Sequence, residues 1–142
     1  MLSNRGRMAM AGVAGVGSAF LVIAAIELVA HAVYGPRVMP DVSTREAMAA
    51  YVESMPLGAF LFVLLAYVAG TVVGGCVAIA IARRHAIRFA GLAGGVILLA
   101  SMVNFVAVPH PTWFVVATLV DVPLAAWLTG RAASAWAPEA AV

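Results

Sequence analysis

The sequence predicts an all-α membrane protein, in which four transmembrane helices form one antiparallel bundle over residues 1–142. Of the 142 residues, 65% are hydrophobic and 10% are charged, whereas soluble domains average about 45–50% apolar and about 25% charged residues. The mean hydropathy is +1.07, and the apolar residues are gathered into runs of the roughly 20 residues that a helix needs to cross a bilayer. We therefore expect contact with a lipid bilayer and no nucleic-acid partner.

Four apolar stretches define the predicted transmembrane helices, at residues 8–33, 57–82, 89–108 and 112–128. The last two are separated by the segment from Pro109 to Thr112. Because proline lacks the backbone donor that a helix interior needs, a tight turn is expected to join two antiparallel helices there. The first stretch also has features of a secretory signal peptide, since Arg5 and Arg7 precede it. Its apolar run is longer than the roughly 7 to 15 residues of such a signal, which favours a membrane helix.

The arginines predict the orientation of the bundle. Six of the eight basic residues fall on one side of the predicted spans, and these are Arg5, Arg7, Arg83, Arg84, Arg88 and Arg131. The opposite side carries two arginines together with three acids, and these are Arg37, Asp41, Arg45, Glu46 and Glu53. Because basic residues are enriched in cytoplasmic loops, both termini are expected in the cytoplasm.

The first outer loop, residues 34–56, is the longest polar segment of the chain and contains a predicted helix over residues 44–55. Ser43 is followed three residues later by Glu46, which is the spacing of a capping box at a helix start. Met48, Val52 and Met55 share one face of this helix. Such a face predicts a short helix lying along the outer membrane surface, either as a lid over the bundle or as a simple connector.

Small residues at four-residue spacing predict where helices approach each other closely. Gly70, Gly74 and Ala78 lie on the second span, and Gly91 and Gly95 lie on the third. Residues of this size let the backbones of two membrane helices come into contact. The sequence leaves open whether the facing helix belongs to this chain, to a second copy in a homo-oligomer or to a larger membrane partner.

Five polar residues lie at similar depth in the predicted spans, and these are Glu27, His31, Tyr67, Asn104 and Asp121. At about 1.5 Å per residue, they fall in the half of the bilayer next to the outer loop. A charged carboxylate at the centre of a membrane helix costs about 2.5–3.5 kcal/mol on insertion scales, which favours a functional role. We predict an outward-facing pocket that binds or moves a proton, a cation or a small solute, with Glu27 as its principal acid and His31 as the partner of Glu27.

Two other interpretations stay open at this point. In the first, the polar groups only hold helices together, with a local pair of Glu27 and His31 and a bond from Asp121 to Thr118 or Asn104. The protein would then be a noncatalytic structural or accessory subunit whose small-residue stripes bind a larger membrane partner. In the second, Glu27, His31 and His110 bind a metal ion, because Glu-x-x-x-His places two ligands on one helix face. No other cofactor is expected. The sequence contains no nucleophile elbow or P-loop, so we do not expect an enzyme.

Four strings carry a resemblance that extends over most of the chain, and these are "ELVAHAVYGP", "MPLGAF", "GTVVGGCVA" and "PHPTWF". Together they resemble a group of small bacterial four-span membrane proteins to which no function has been assigned. The resemblance implies the four-helix architecture and a bacterial inner membrane, and it implies no activity for any residue. Small multidrug transporters are similar in size and in carrying a membrane Glu in the first helix, but they lack the long outer loop and Asp121.

Overall fold

The computed structural model describes residues 3–36 and 42–136, and these residues form five helices and no strand. The helices are α1 (Asn4–Tyr34), α2 (Arg45–Ser54), α3 (Leu57–Ala82), α4 (Ala86–Ala107) and α5 (Thr112–Trp136). All except α2 are long and apolar enough to cross a membrane. The predicted all-helical class with four candidate membrane spans is therefore confirmed. Arg37 and Asp41 of the predicted outer loop lie outside the described residues.

Three of the long helices extend beyond the apolar runs that predicted them, and one of these is α4, which begins at Ala86, three residues before its predicted start. The helix α1 begins at Asn4, where the Ser3 hydroxyl accepts a hydrogen bond of 3.2 Å from the Gly6 amide. The helix α5 continues from residue 128 to Trp136, because the alanines of this segment favour a helix even where the hydropathy falls. By contrast, α3 begins and ends at the residues predicted from its apolar run.

The short helix α2 starts one residue later than predicted. Its N-cap is Thr44, whose hydroxyl accepts a hydrogen bond of 3.1 Å from the Ala47 amide. The predicted capping box, which began at Ser43, is therefore wrong in its register. Val52 of α2 is buried in the bundle core, and the Arg45 guanidinium donates to the Val106 carbonyl of α4. These contacts place α2 across one end of the four long helices.

Two clusters of buried side chains show that the long helices alternate in direction. One cluster joins the start of α1, the end of α3, the start of α4 and the end of α5, through Ala11, Ala78, Ala82, Ala86, Ala90 and Ala133. The other joins the opposite halves of the same helices to α2, through Ile23, Val52, Phe60, Ile97 and Phe114. We call the first the arginine end, since the six arginines from Arg5 to Arg131 that predicted the orientation are grouped there. We call the second, which contains α2 and the α4–α5 turn, the hairpin end.

The closest helix contact is between α1 and α3. A Cβ atom built on Gly74 would lie 2.6 Å from the Gly15 carbonyl oxygen and 2.7 Å from the Ala19 Cβ. A Cβ on Gly15 would likewise lie 2.6 Å from the Ala78 Cβ. The small residues predicted at Gly70, Gly74 and Ala78 therefore face α1 of the same chain. This surface is not available to another protein.

The small residues of α4 that contact another helix are not the predicted pair Gly91 and Gly95. A Cβ on Gly91 or Gly95 would meet no atom within 4 Å, so neither glycine makes a helix contact within the described chain. The contact with α5 is made instead by Gly94, where an added Cβ would lie 2.7 Å from the Ala126 Cβ. Gly91 and Gly95 lie on the outer surface of the bundle.

That outer surface is apolar over much of its area. Large hydrophobic side chains point away from the bundle on every long helix, and the exposed fraction reaches 71% at Leu28 and 76% at Val106. Such a surface is stable where lipid surrounds it. The helices α1 and α5 lie on opposite sides of α3 and α4 and do not touch in the described part of the chain.

Candidate functional site

Three of the predicted polar residues meet in a groove on the side of the bundle. Glu27 from α1, Tyr67 from α3 and Asn104 from α4 line this groove together with Ser101, and its volume is about 300 Å³. Phe20, Ile23 and Ile97 form its apolar part. We call it the Glu27 groove. Glu27 and Asn104 are exposed, so the groove opens to the side of the bundle.

Tyr67 lies at the centre of the Glu27 groove and joins its three helices. The side chain is 8% exposed, and its hydroxyl lies beside the side chains of Ser101 and Asn104, with Glu27 near enough to act on it electrostatically. The Ser101 hydroxyl donates to the Ile97 carbonyl at 2.9 Å. The Tyr67 ring therefore fills the space between helices, while its hydroxyl forms part of the polar lining.

His31 lines a second groove, which adjoins the first at Glu27. This groove has a volume of about 190 Å³ and lies between α1, α2 and α3. Its polar side chains are Glu27, His31, Tyr34 and Tyr51, and we call it the His31 groove. The Tyr34 ring packs edge-on against Phe62 with 5.7 Å between the centroids, and the Tyr34 hydroxyl fills the space above Gly58. The ring of Tyr34 is thus held in place at the mouth of the groove.

Glu27 has no partner within the described chain. No hydrogen bond or ion pair joins its carboxylate to His31 or to another side chain of residues 3–36 and 42–136. The local Glu27–His31 pair considered from the sequence is therefore not formed, although both residues line the His31 groove. The carboxylate belongs to both grooves and is free to bind an external group.

Asp121 does not join this site. It lies on α5, which is separated from α1 by α3 and α4, and it is absent from the lining of both grooves. Its Oδ1 atom is buried and has no hydrogen-bond partner in the described structure. The Thr118 hydroxyl, one proposed partner, donates instead to the Phe114 carbonyl at 3.0 Å. Of the five residues predicted to form one pocket, four line the two grooves, and Asp121 lies outside both.

The three candidate metal ligands are not brought together. His110 lies in the α4–α5 turn, where its Nδ1 atom is 2.8 Å from the Val108 carbonyl oxygen and its ring stacks on Phe114 with 5.3 Å between the centroids. Phe105 packs edge-on against the same imidazole. Among the described residues, no group of three His, Cys, Asp or Glu side chains is arranged to hold a metal ion. The contacts of His110 are those of a packed aromatic residue.

Three polar residues of the two grooves were not among the predicted pocket residues, and these are Ser101, Tyr34 and Tyr51. Ser101 lies three residues before Asn104 on α4, so the helical repeat of Asn104 could have identified it. Tyr34 follows His31 by three residues and shares its helix face for the same reason. Tyr51 comes from α2, and no sequence pattern predicts the position of this helix over α1 and α3.

The lining combines one carboxylate with an imidazole, three phenol rings and an amide. Carboxylates bind cations, and tyrosine faces attract them further, whereas a site of this composition has no strong donor cluster for an anion. When the chain is compared with known protein families, curated proteins and solved structures, none of the three comparisons gives a match.

Proposed function

We propose that the protein is a membrane protein that binds a small organic cation in the Glu27 groove and the adjoining His31 groove. The observation that carries the proposal is the setting of Glu27. Glu27 is exposed, lines both grooves and has no hydrogen-bond or ion-pair partner in the described chain. A charged group at this depth of a membrane helix is a candidate functional group by default, because an unpartnered charge facing lipid is costly.

The rest of the lining supports an organic cation over a bare metal ion. Metal ions of the calcium or magnesium type take six or more oxygen ligands, and the two grooves offer one carboxylate. An ammonium group with apolar substituents needs one carboxylate and an aromatic surface, which Glu27 and the rings of Tyr34 and Tyr51 supply. The volume of the Glu27 groove, about 300 Å³, is at the lower limit of the range of about 300–1,000 Å³ for small-molecule sites, and the adjoining His31 groove adds about 190 Å³.

The proposal concerns binding, with entry and exit at the same side of the bundle. Towards the arginine end, α1 and α3 touch at their backbones between Gly15, Gly74 and Ala78. This contact leaves no room for a solute between the two helices. Movement of a bound cation through the protein would require α1 to separate from α3.

The test is calorimetric titration of benzyltrimethylammonium into the purified protein in lipid nanodiscs. We expect saturable binding to the parent and a loss in affinity of up to about fivefold in Glu27→Gln, which is the upper value for one exposed ion pair. The matched control is Glu53→Gln, because Glu53 is an exposed acid of α2 that lines neither groove. The neutral analogue neopentylbenzene should bind neither variant in a saturable manner.

Equal affinities of the parent and Glu27→Gln would overturn the proposal, as would equal binding of the neutral analogue. Thermal unfolding of the same variants supplies a second readout. Because Glu27 has no partner in the described chain, Glu27→Gln should unfold at the temperature of the parent or above it. A large loss of stability would identify the carboxylate as a structural tie and would also refute the proposal.

The alternative function is that of an accessory subunit, and one observation favours it. Glu27 and Asn104 are both exposed on one side of the bundle, where a helix of another protein would satisfy them at less cost than lipid. In that case a stoichiometric membrane partner would co-purify with the parent and would be lost from Glu27→Gln and Asn104→Leu. Gly74 is buried against α1, so a substitution there does not test a partner surface.

A further inference from the structure

A third groove lies on the opposite flank of the bundle, between α4 and α5. Its lining is apolar and includes the two glycines that make no contact within the chain. The lining residues include Ile87, Gly91, Gly95, Leu98, Pro123 and Trp127. We call it the α4–α5 groove, and its volume is about 280 Å³.

The dimensions of the α4–α5 groove match one leaflet of a bilayer. From Ile87 to Leu98 the groove follows α4 for 11 residues, which corresponds to about 16 Å along the helix axis. Half of the roughly 30 Å hydrocarbon core is about 15 Å. The groove therefore begins at the arginine end and stops near the middle of the membrane, as a slot for one acyl chain would.

The end of the groove next to the arginines is positively charged. Arg88 and Arg131 are exposed within one turn of lining residues, and the Arg131 guanidinium lies over the Trp127 ring at 5.7 Å from its centroid. The described acids lie elsewhere: Glu46 and Glu53 are on α2, Glu27 is on the hairpin-end half of α1, and Asp121 is inside α5. No described carboxylate therefore neutralises this surface.

The start of α4 adds to the same positive field. The helix has 22 residues and begins at Ala86 with no side-chain hydrogen bond capping its first turn. The amide groups of the first turn carry partial positive charge and point out of the helix start. Ile87, which lines the groove, lies in that turn. An anionic group at the mouth of the groove would therefore face both the amides and the two arginines.

We infer that the α4–α5 groove is a binding site for an anionic phospholipid, whose acyl chain lies along Gly91 and Gly95 and whose phosphate is bound by Arg88 and Arg131. Basic pockets between membrane helices bind anionic head groups in this way. The missing side chains at Gly91 and Gly95 make the slot, and the Trp127 ring forms its wall. This site is separate from the Glu27 and His31 grooves, since it lies towards the arginine end of the bundle. Although α4 also lines the Glu27 groove, no lining residue is shared between them.

The experiment measures quenching of Trp127 by brominated lipids in vesicles. Replacing Trp113 and Trp136 by Phe leaves Trp127 as the one tryptophan of a chain that has three. Vesicles contain dibrominated phosphatidylglycerol or dibrominated phosphatidylcholine, each titrated against its unbrominated form. The ratio of the two association constants reports preference for the anionic lipid and is independent of the initial Trp127 emission. We expect phosphatidylglycerol to bind up to about 25-fold more tightly, since each of the two arginines contributes about fivefold, and we expect this preference to weaken as salt is raised.

Substitutions test whether the preference for phosphatidylglycerol arises at the α4–α5 groove. Arg131→Gln and Arg88→Gln should each lower it by about fivefold, and the matched control Arg5→Gln, on α1, should leave it unchanged. Gly95→Leu should reduce quenching by both lipids, because its side chain fills open space in the slot. Gly17→Leu is the matched control, since a Cβ on Gly17 also meets no atom within 4 Å but lies on α1.

Three results would overturn the inference. The first is equal quenching by the two lipids, and the second is a preference that survives both arginine substitutions. The third is a dimer in native mass spectrometry that Gly95→Leu converts into a monomer without any lipid preference in the parent. That result would make the groove a contact between two copies of the chain.

Discussion

The contact between α1 and α3 supports a quantitative prediction for Gly74→Ala. A Cβ at position 74 would lie 2.6 Å from the Gly15 carbonyl oxygen and 2.7 Å from the Ala19 Cβ. Ordinary contact begins at 3.4 Å, so α1 must move away by 0.7 to 0.8 Å, the difference between these distances. A gap of about 0.5–1 Å loses a quarter to a half of the attraction between facing atoms. We expect the free energy of unfolding to fall by about 1–3 kcal/mol.

The assay is unfolding of the protein in mixed micelles by titration with SDS, followed by tryptophan fluorescence. The matched control is Gly17→Ala, whose Cβ meets no atom within 4 Å and which should be neutral or stabilised by up to about 1 kcal/mol through helix propensity. Gly15→Ala enters the same contact, so the double variant Gly15→Ala with Gly74→Ala should lose less than the sum of the single losses. Equal stability of Gly74→Ala and Gly17→Ala would refute the reasoning.

Two further predictions concern the ends of the bundle. Phe114 is 1% exposed, and its ring contacts Phe60, Phe105 and His110. Phe114→Ala should therefore lower the free energy of unfolding by about 3 kcal/mol. The control Val116→Ala, on the outer surface, should have little effect in the same SDS titration. Arg83 has a φ of 55° at the end of α3, a conformation that costs an L-residue about 1–2 kcal/mol. Arg83→Gly removes this strain but increases the chain entropy of the unfolded state, so its free energy of unfolding should equal that of the parent or exceed it by up to about 1 kcal/mol. Arg83→Ala keeps the strain, so its free energy of unfolding should not rise.

The sequence predicted the depth of the polar residues in the membrane better than it predicted which of them face the same groove. Glu27, Tyr67 and Asn104 were placed at one level of the bilayer, and the structure brings them to one groove. Asp121 was placed at the same level, yet it lies on a helix that does not touch α1. The number of residues from the end of a helix gives the depth of a residue in the membrane, because the rise per residue is fixed. The order of the helices around the bundle depends on long-range packing, and no single span specifies it.

The glycines of α4 illustrate the same limit at smaller scale. A spacing of four residues is present both in Gly91 with Gly95 and in Ala90 with Gly94. The two sets lie on neighbouring sides of the helix, about 100° apart at 3.6 residues per turn. Only the second set meets another helix, since Ala90 packs against Gly75 and Gly94 packs against Ala126. The sequence identifies the spacing, and the facing side chains of α3 and α5 select the register.

The packing of α1 against α3 also accounts for the exposed position of Glu27. Between Gly15 and Ile23, α1 packs against Gly70, Gly74 and Ala78 of α3, and the two backbones are in contact at Gly15 and Gly74. Such a contact has no room for a carboxylate or for the water that would solvate it. Beyond Gly70, α3 carries the larger side chains of Tyr67 and Val63 together with Ala59, and these three residues line the two grooves beside α1. Glu27 is the first acid of α1 and lies one turn past Ile23, where the close contact ends. The same glycines and alanines that join the helices near the arginine end therefore leave a carboxylate accessible near the hairpin end.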